Sequence, residues 1–425
     1  MSRTIDTTAQ RFRFGYSAEQ PVGEAGTTAA TPSIAFKLLI LFLLAMYSSI
    51  GVLVPAVEMV RPAMTLAVGA ILFTVIEISK NRAGFRLARP ESAMFVVLLA
   101  VSVISSFDAI YARLAFETTS SLAKIFLIYI VIENTVTTTD RLRSIMLTMV
   151  VGGLMPSLGT IHHYLIGKLS QGRAAWVGVF ANPNEDAYSL VILVPIAAAL
   201  AWRSGWLMRM LMLGAIGTYL LGIYLTFSRG GLLGLVAVLG VLGWKQKSFV
   251  VKGVMIGILA AGVIVGSMFW TRKDNFSEIS SDTTYNQRVA TIKAGLQMFK
   301  DKPLLGVGPG CSIVAYPLYV PKDAHCGCQD QLVIHNAFIQ TLSETGALGF
   351  VPFMIFLGAA ILQTRRLQRQ SSPEMQTYAM GLELALWGFM VCGLSGGFSW
   401  TWFPYILVGL AVAARHIAET QSSRV

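Results

Sequence analysis

Residues 208–227 read MRMLMLGAIGTYLLGIYLTF, an apolar run that contains a single charged residue, Arg209. About 20 apolar residues are enough for one α-helix to cross the hydrocarbon core of a bilayer. Runs of this kind recur along the chain, whereas the ten-residue alternating segments that are typical of membrane barrels do not occur. The sequence therefore predicts an all-α, polytopic integral membrane protein.

The composition of the whole chain agrees with this interpretation. Of its 425 residues, 54% are hydrophobic and only 13% are charged, and the mean hydropathy is +0.63. Soluble domains average about 25% charged residues. Much of the net charge of +11 sits in short clusters between apolar runs, a pattern that indicates membrane topology rather than nucleic-acid binding. We therefore expect the membrane, and no nucleic acid, as a partner.

Counting the apolar runs predicts about twelve transmembrane helices. They lie near residues 34–54, 62–79, 93–108, 119–134, 144–166, 184–202, 208–227, 230–244, 249–270, 346–363, 379–397 and 401–416. Basic clusters follow every second helix, so the positive-inside rule puts the N-terminus in the cytoplasm. The predicted organisation is a cytoplasmic polar tail (1–33), transmembrane helices 1–9 (34–270), a large periplasmic loop with short helices (271–345), helices 10–12 (346–416) and a cytoplasmic tail (417–425).

The polar segment from residue 271 to 345 is the main departure from the apolar pattern. Loops longer than about 15 residues are uncommon unless they are functional or disordered. The helix count puts this segment, Arg173 and Arg229 on the same outer face of the membrane, which in a bacterium is the periplasm. Because ATP is absent there, a reaction at this face must use energy already stored in its substrate.

Two arginines on this face are candidate site residues. Arg229 lies in TFSRGG, residues 226–231, between two apolar runs. An arginine near the end of a span can snorkel to lipid headgroups, but the adjacent glycine pair allows another group to approach the backbone closely, which favours a functional position. Arg288 flanks an apolar stripe at helical spacing, which predicts an amphipathic surface helix. The stripe consists of Val289, Ile292, Leu296 and Phe299.

A histidine stands at the predicted start of another helix. His335 opens the stretch HNAFIQTLSETG, residues 335–346. The positive end of the helix dipole disfavours an imidazolium ion, so we expect a neutral ring that can accept a proton. A single histidine is more often structural than catalytic. Its place in a polar loop above the face that also holds Arg229 favours a functional interpretation.

The second polar outer loop contains Arg173 and an Asn182-Pro183-Asn184 turn. Arg173 is either a phosphate ligand or a loop charge, and a turn followed by a helix cap explains the two asparagines. Residues 306–310, GVGPG, form a tight turn without the Lys and Ser/Thr of a P-loop, so we do not expect nucleotide binding. Glu383, inside an apolar run, is either a proton-path residue or a partner in an interhelical bond.

Three of the four cysteines share the large loop. An oxidising compartment would allow Cys311 to pair with either Cys326 or Cys328. His325 lies beside the latter two, but the spacing fits no standard zinc site, and we expect no metal.

Together these features resemble the O-antigen ligase and polymerase superfamily of membrane glycosyltransferases. The resemblance covers about residues 173–350 and extends to the twelve-helix layout. It rests on SRGG at residues 228–231, the helix that carries Arg288, PLLGVG at residues 303–308, and the stretch from His335 to Gly346. The Cys326-Gly327-Cys328 insert departs from the pattern.

The resemblance implies a metal-independent transfer of a glycan from undecaprenyl diphosphate to an acceptor hydroxyl, without cofactor or nucleotide sugar. It implies catalytic roles for His335, Arg288 and Arg229, and contacts to the diphosphate or glycan by Arg173, Asn336 and Glu344. The enzyme would be a multi-pass protein of the bacterial inner membrane with its active site facing the periplasm. One displacement suffices, so we expect inversion at the anomeric carbon.

The acceptor remains open among three possibilities. An O-antigen ligase would use lipid A–core as the acceptor, and we favour this possibility narrowly. An exopolysaccharide or O-antigen repeat-unit polymerase would use a growing glycan. A protein O-oligosaccharyltransferase would use a protein hydroxyl. The alternative outside this class is a polysaccharide or lipid transporter. It predicts paired broken helices and deep membrane charges, and the sequence has few such charges and no internal repeat.

Overall fold

The computed structural model describes residues 33–80, 84–245, 248–249, 252–253, 257, 283–321 and 331–423. Within these ranges the regular structure is helical, apart from one isolated β-bridge between Ser170 and Arg173. The predicted all-α class is therefore confirmed for the described part of the chain.

Thirteen helices of eight residues or more occur in these ranges. They are α1 (Ile34–Ser48), α2 (Pro62–Lys80), α3 (Glu91–Phe107), α4 (Ala112–Thr135), α5 (Thr139–Leu165), α6 (Pro183–Trp202), α7 (Trp206–Leu225), α8 (Arg229–Lys245), α9 (Thr283–Asp301), α10 (Ser312–Tyr319), α11 (Ala337–Gln370), α12 (Pro373–Gly393) and α13 (Phe403–Ser422).

Six helical stretches in the described part are long and apolar enough to cross a membrane. They are Pro55–Lys80, Ala112–Thr135, Thr139–Leu165, Pro183–Trp202, Trp206–Leu225 and Ala337–Gln370. Two shorter apolar helices, Ile34–Ser48 and Glu91–Phe107, accompany them. This is the pattern of a multi-pass membrane protein. Most of the helix expected at 249–270 lies outside the described residues, and a helix is found at every other predicted position. The count of twelve spans stays a prediction.

Helix α6 lies at the centre of the bundle. It packs against α5, α7, α8 and α12, and it is buried on nearly all sides. Beyond its polar first turn α6 is almost wholly apolar, which suits such a buried position. Its start is set locally, because the Asn182 side chain accepts a hydrogen bond from the Asn184 N–H at 2.9 Å, and Pro183 occupies the first helical position.

Helix α13 extends beyond the end predicted at residue 416. It continues to Ser422, so most of the expected tail 417–425 is helical. Near this end, Arg415 forms an ion pair with buried Glu91 at 3.1 Å. Ile417 and Ala418, one turn further, are buried in the core.

Buried Glu383 of α12 joins three helices. Its carboxylate accepts from the Arg365 Nε at 2.8 Å and from the Gln368 Nε2 at 2.7 Å, both on α11, and it pairs with Lys245 at the end of α8. Of the two possibilities left by the sequence, these contacts favour interhelical bonding. We name this group the Glu383 cluster.

The buried face of α9 differs from the predicted one. Leu296, expected in the apolar stripe, is 39% exposed, whereas Ala294 and Met298 are fully buried. A Cβ on Gly295 would lie 2.7 Å from the Ile339 side chain of α11. Because α9 approaches α11 so closely, a glycine occupies the contact, which a search for large apolar side chains misses.

Candidate active site

The site is organised around a break in α11. Gly346 has φ 60° and ψ −166°, which interrupts the helix, and a Cβ there would lie 2.3 Å from the Leu304 backbone. The backbone of residues 303–308 fills the break. Val307 N–H donates to the Ser343 carbonyl at 2.9 Å, and Ala347 N–H donates to the Pro303 carbonyl at 2.8 Å. The break therefore ties the PLLGVG segment to the helix that follows His335.

Glu344 holds this region together from inside. Its carboxylate accepts hydrogen bonds from the Gly310 N–H at 2.7 Å and from the side chains of Ser312 and Trp400. Gln340 is a fourth donor at 3.5 Å. The residue is fully buried. Through these contacts Glu344 acts as a structural hub that joins several segments of the chain. They leave its carboxylate no exposed surface for the direct substrate contact expected from the sequence.

Asn336 fixes the start of α11. Its Oδ1 accepts from the N–H groups of Phe338 and Ile339, both at 3.0 Å, and its Nδ2 donates to the Leu394 carbonyl at 3.2 Å. The side chain thus caps the helix and ties it to the connection between α12 and α13. The oxygen and the nitrogen of the Asn336 amide both bind protein groups, so the geometry gives no support to the substrate-binding role expected for this residue.

His335 precedes this cap and is half-buried. Burial, followed by the positive charges of Arg288 and Arg173, lowers its pKa to about 4. The ring is therefore neutral at pH 7, as the sequence predicts. Arg288 and Arg173 both contribute to this shift, so Arg173 acts on the His335 ring although it belongs to a separate loop.

Arg288, on α9, presents a hydrogen-bond donor at this site. Its Nε is buried and has no acceptor among the described residues. A buried guanidinium donor without an acceptor costs free energy unless a ligand or water satisfies it. This position suits an anionic substrate group.

Arg173 is held by a tight hairpin turn. Ser170 and Arg173 exchange backbone hydrogen bonds of 2.9 and 3.0 Å, and Gln171 and Gly172 between them both have positive φ, as in a type I′ turn. The Arg173 Nε donates to the Thr226 carbonyl at 2.8 Å. The turn and this bond fix the guanidinium beside the end of α7.

Asn184 connects Arg173 with the Ser228-Arg229 turn. Its Oδ1 accepts from the Arg173 Nη2 at 2.7 Å and from the Ser228 Oγ at 2.9 Å. The sequence explained this asparagine by a turn and a cap, but the cap is made by Asn182. Because one asparagine is enough for the cap, the second asparagine of the Asn-Pro-Asn turn was the sequence signal that could have indicated this bridge.

Arg229 begins α8 at the same end of the bundle. A Cβ on the next residue, Gly230, would lie 2.1 Å from the Ser395 Oγ and 2.5 Å from the Tyr188 hydroxyl. The expected close approach to the glycine pair is therefore present. Tyr188 in turn donates to the Ser395 carbonyl at 3.1 Å, and this contact was not foreseen from the sequence. Ser395 follows Leu394, which binds Asn336, so one connection touches both the Arg229 turn and the start of α11.

The described residues contain no group of three or more His, Cys, Asp or Glu side chains that could hold a metal ion. Cys311 is buried, and its thiol donates to the Tyr111 carbonyl at 3.4 Å. His325, Cys326 and Cys328 lie outside the described residues, so the proposed pairings of Cys311 stay open.

Comparison with known proteins agrees with the resemblance seen in the sequence. Residues 214–354 match the family model described as O-antigen ligase. The match begins in α7 and ends in α11, so it includes Arg229, Arg288 and His335. No curated protein matches the chain.

Proposed function

We propose that this protein, whose residues 214–354 match the O-antigen ligase family model, transfers a glycan from undecaprenyl diphosphate to an acceptor hydroxyl at the end of the bundle that holds His335. The family supports glycan transfer of the ligase or polymerase kind in a bacterial membrane. The donor, the stereochemistry and the periplasmic position of the site are parts of the proposal.

The observation that carries it is a neutral histidine next to two guanidinium groups. The acceptor oxygen attacks the anomeric carbon and gives its proton to His335, which is uncharged because its pKa is about 4. The bond between the anomeric carbon and the diphosphate oxygen breaks, and its electron pair stays on the diphosphate. A single displacement of this kind inverts the anomeric configuration.

The arginines stabilise the leaving group. Guanidinium groups bind phosphate oxygens in bidentate fashion and stay charged at any physiological pH. Arg288 offers its buried Nε, and Arg173 is already oriented by Asn184. Cations held in place before the reaction need little reorganisation as negative charge develops. Arg229, one residue after Ser228, completes the proposed catalytic set.

The roles of the other two predicted binding residues change in this proposal. Asn336 and Glu344 bond to protein groups and shape the region around His335. They act as positioning residues, and substrate contact is assigned to the arginines.

The test is reconstitution of the full chain with an undecaprenyl-diphosphate glycan and three acceptors: lipid A–core, an oligosaccharide and a hydroxyl-bearing peptide. His335→Ala, Arg288→Ala and Arg229→Ala should each abolish transfer. The acceptor that is used decides among ligase, polymerase and protein glycosylation.

Arg113→Ala is the matched control. The Arg113 side chain is 80% exposed and, among the described residues, forms an ion pair only with Glu117, so its removal should leave transfer unchanged. Full activity of His335→Ala, or retention of the anomeric configuration in the product, would exclude the proposed mechanism.

A further inference from the structure

The Tyr188 side chain lies where three segments of the candidate active site meet. Tyr188 belongs to α6 and is 1% exposed. Its hydroxyl donates to the Ser395 carbonyl at 3.1 Å and lies 3.0 Å from the Ser395 Oγ, in the connection between α12 and α13. Gly230, the second residue of α8, approaches the same hydroxyl. Because the side chain is buried, its bonds serve the protein and not the substrate.

Two glycines make room for this tyrosine. A Cβ on Gly230 would lie 2.5 Å from the Tyr188 hydroxyl, and a Cβ on Gly396 would lie 2.3 Å from its Cε2 atom. Atoms at such separations overlap, so a side chain at either position would displace the ring or its neighbours. The Phe398 ring stacks on the Tyr188 ring with centroids 5.0 Å apart. Contacts with α8 and with the α12–α13 connection therefore fix the ring.

The α12–α13 connection reaches His335 from both sides. The Leu394 carbonyl accepts from the Asn336 Nδ2 at 3.2 Å, and Asn336 directly follows His335. A Cβ on Gly397 would lie 2.1 Å from the carbonyl oxygen of Ile334, the residue before the histidine. Both contacts lie within two residues of the serine that accepts the tyrosine hydroxyl. A displacement of this serine would therefore move the backbone on both sides of His335.

The arginine-bearing segments also interact with this hydroxyl. The Arg288 charge and the Ser228 side chain both act on the Tyr188 hydroxyl, and Ser228 directly precedes Arg229. After burial, the charge of Arg288 makes the largest contribution that lowers the pKa of His335. One hydroxyl is therefore coupled both to the segment beside the histidine and to the segments that carry two of the arginines.

We propose that Tyr188 is a positioning residue that holds His335 in a fixed place relative to the arginines. The tyrosine hydroxyl holds Ser395, and the connection that contains Ser395 holds the backbone on both sides of His335. Without this bond the histidine moves away from the positive charges, and the acceptor oxygen, the proton acceptor and the leaving group lose their alignment. This inference rests on the proposed function for the reaction that the alignment serves.

Tyr188→Phe is the test, because it removes the hydroxyl and keeps the ring that packs on Phe398. With the full chain in nanodiscs, we expect kcat for glycan transfer to fall about tenfold or more, because small misplacements at a reacting centre slow the reaction strongly. KM should stay within about twofold of the wild-type value, since no group assigned to substrate binding is removed.

The second readout is the titration of the His335 ring, which does not require transfer. It is followed by NMR with ¹³C-labelled histidine, and the His335 signal is assigned by its loss in His335→Gln. In Tyr188→Phe the pKa of His335 should rise from about 4 toward its ordinary value of 6.5, since the ring becomes less buried and moves away from positive charge. A lost hydrogen bond that only lowered stability would not move this titration.

Tyr378→Phe is the matched control. Tyr378 is also 1% exposed, and its hydroxyl donates to the Glu374 Oε1 at 2.7 Å. It lies roughly 22 Å along α12 from Gly393, the end of the helix nearest the site. Tyr378→Phe should lower the Tm about as much as Tyr188→Phe does and leave kcat and the His335 titration unchanged.

Wild-type kcat in Tyr188→Phe, or an unmoved His335 titration, would overturn the proposal. An equal loss of kcat in Tyr378→Phe would also overturn it, because the effect would then follow from any lost bond in the bundle. A wild-type chain that transfers no glycan, but whose His335 titration responds to Tyr188→Phe, would contradict the proposed function and support the position assigned to the tyrosine.

Discussion

Replacing Gly346 by alanine tests the architecture of the site without any knowledge of the substrate. Its φ of 60° and ψ of −166° fall in a region that is essentially restricted to glycine, with a cost of about 1–3 kcal/mol for other residues. The new Cβ would also lie 2.3 Å from the Leu304 backbone, and overpacking of this kind costs about 1–3 kcal/mol. We expect Gly346→Ala to lose roughly 2–6 kcal/mol.

Gly358, on the same helix, provides the control. Nothing lies within 4 Å of a Cβ at this position, so Gly358→Ala should gain up to about 1 kcal/mol of helix propensity. Thermal unfolding in nanodiscs, followed by intrinsic fluorescence, should separate the two variants by about 5 °C or more in Tm. If Gly346→Ala unfolds at the same temperature as Gly358→Ala, the break in α11 is not the constrained junction described above.

The remaining predictions concern the charged groups. Transfer should be constant near neutral pH and fall as the pH drops through about 4, because only neutral His335 accepts a proton and its pKa is lowered to that value; a midpoint near 6.5 would contradict this. Arg173→Gln removes one of the charges that lower this pKa, so a pH–rate profile should show the acidic midpoint moved upward, and an unmoved midpoint would remove Arg173 from the site. Asn184→Ala removes the acceptor that Arg173 shares with Ser228 and should reduce kcat about tenfold or more, with Tm nearly unchanged; full kcat would show that the bridge is dispensable. Glu344→Gln replaces one buried acceptor by a donor and should cost about 1–3 kcal/mol in a denaturation experiment, and an unchanged Tm would refute the assignment as a hub.

The helical part of the fold was accessible from the sequence because it depends on local composition. A run such as residues 187–202 is almost wholly apolar, and its length and composition alone predict a membrane-spanning or buried helix. The apolar face of Phe338, Ile339 and Leu342 likewise placed the helix that starts after His335, whereas the Asn336 cap was not foreseen.

The contacts that shape the site were less accessible because they are made between distant backbone segments. The carbonyl and N–H groups of PLLGVG complete a break in a helix some 40 residues later, and the sequence does not show this because every residue but proline carries the same backbone donor and acceptor. The role of Asn184 was hidden for a different reason. An asparagine at the start of a helix is expected as a cap, so there was no reason in the sequence to look for a second role. The bridge from Asn184 to Arg173 was therefore not predicted.

The exposed Leu296 shows a third limit of prediction from the sequence, which concerns the buried face of a helix. Helices that approach closely need small residues at the contact, and a search for large apolar side chains finds the opposite face. Pairs such as Ala294 and Gly295 therefore carry information about neighbours that hydrophobicity alone does not.

The Glu383 cluster has a consequence for biogenesis. A chain enters the membrane from its N-terminus, so Lys245 and Arg365 are synthesised before the carboxylate that later neutralises them. Neither cation has this carboxylate as a partner until Glu383 has been synthesised. Glu383 then meets two counter-ions on helices that are already synthesised, which lowers the cost of burying its charge. Its ion pairs then attach α12, the first of the last two helices, to α8 and α11, which are synthesised earlier.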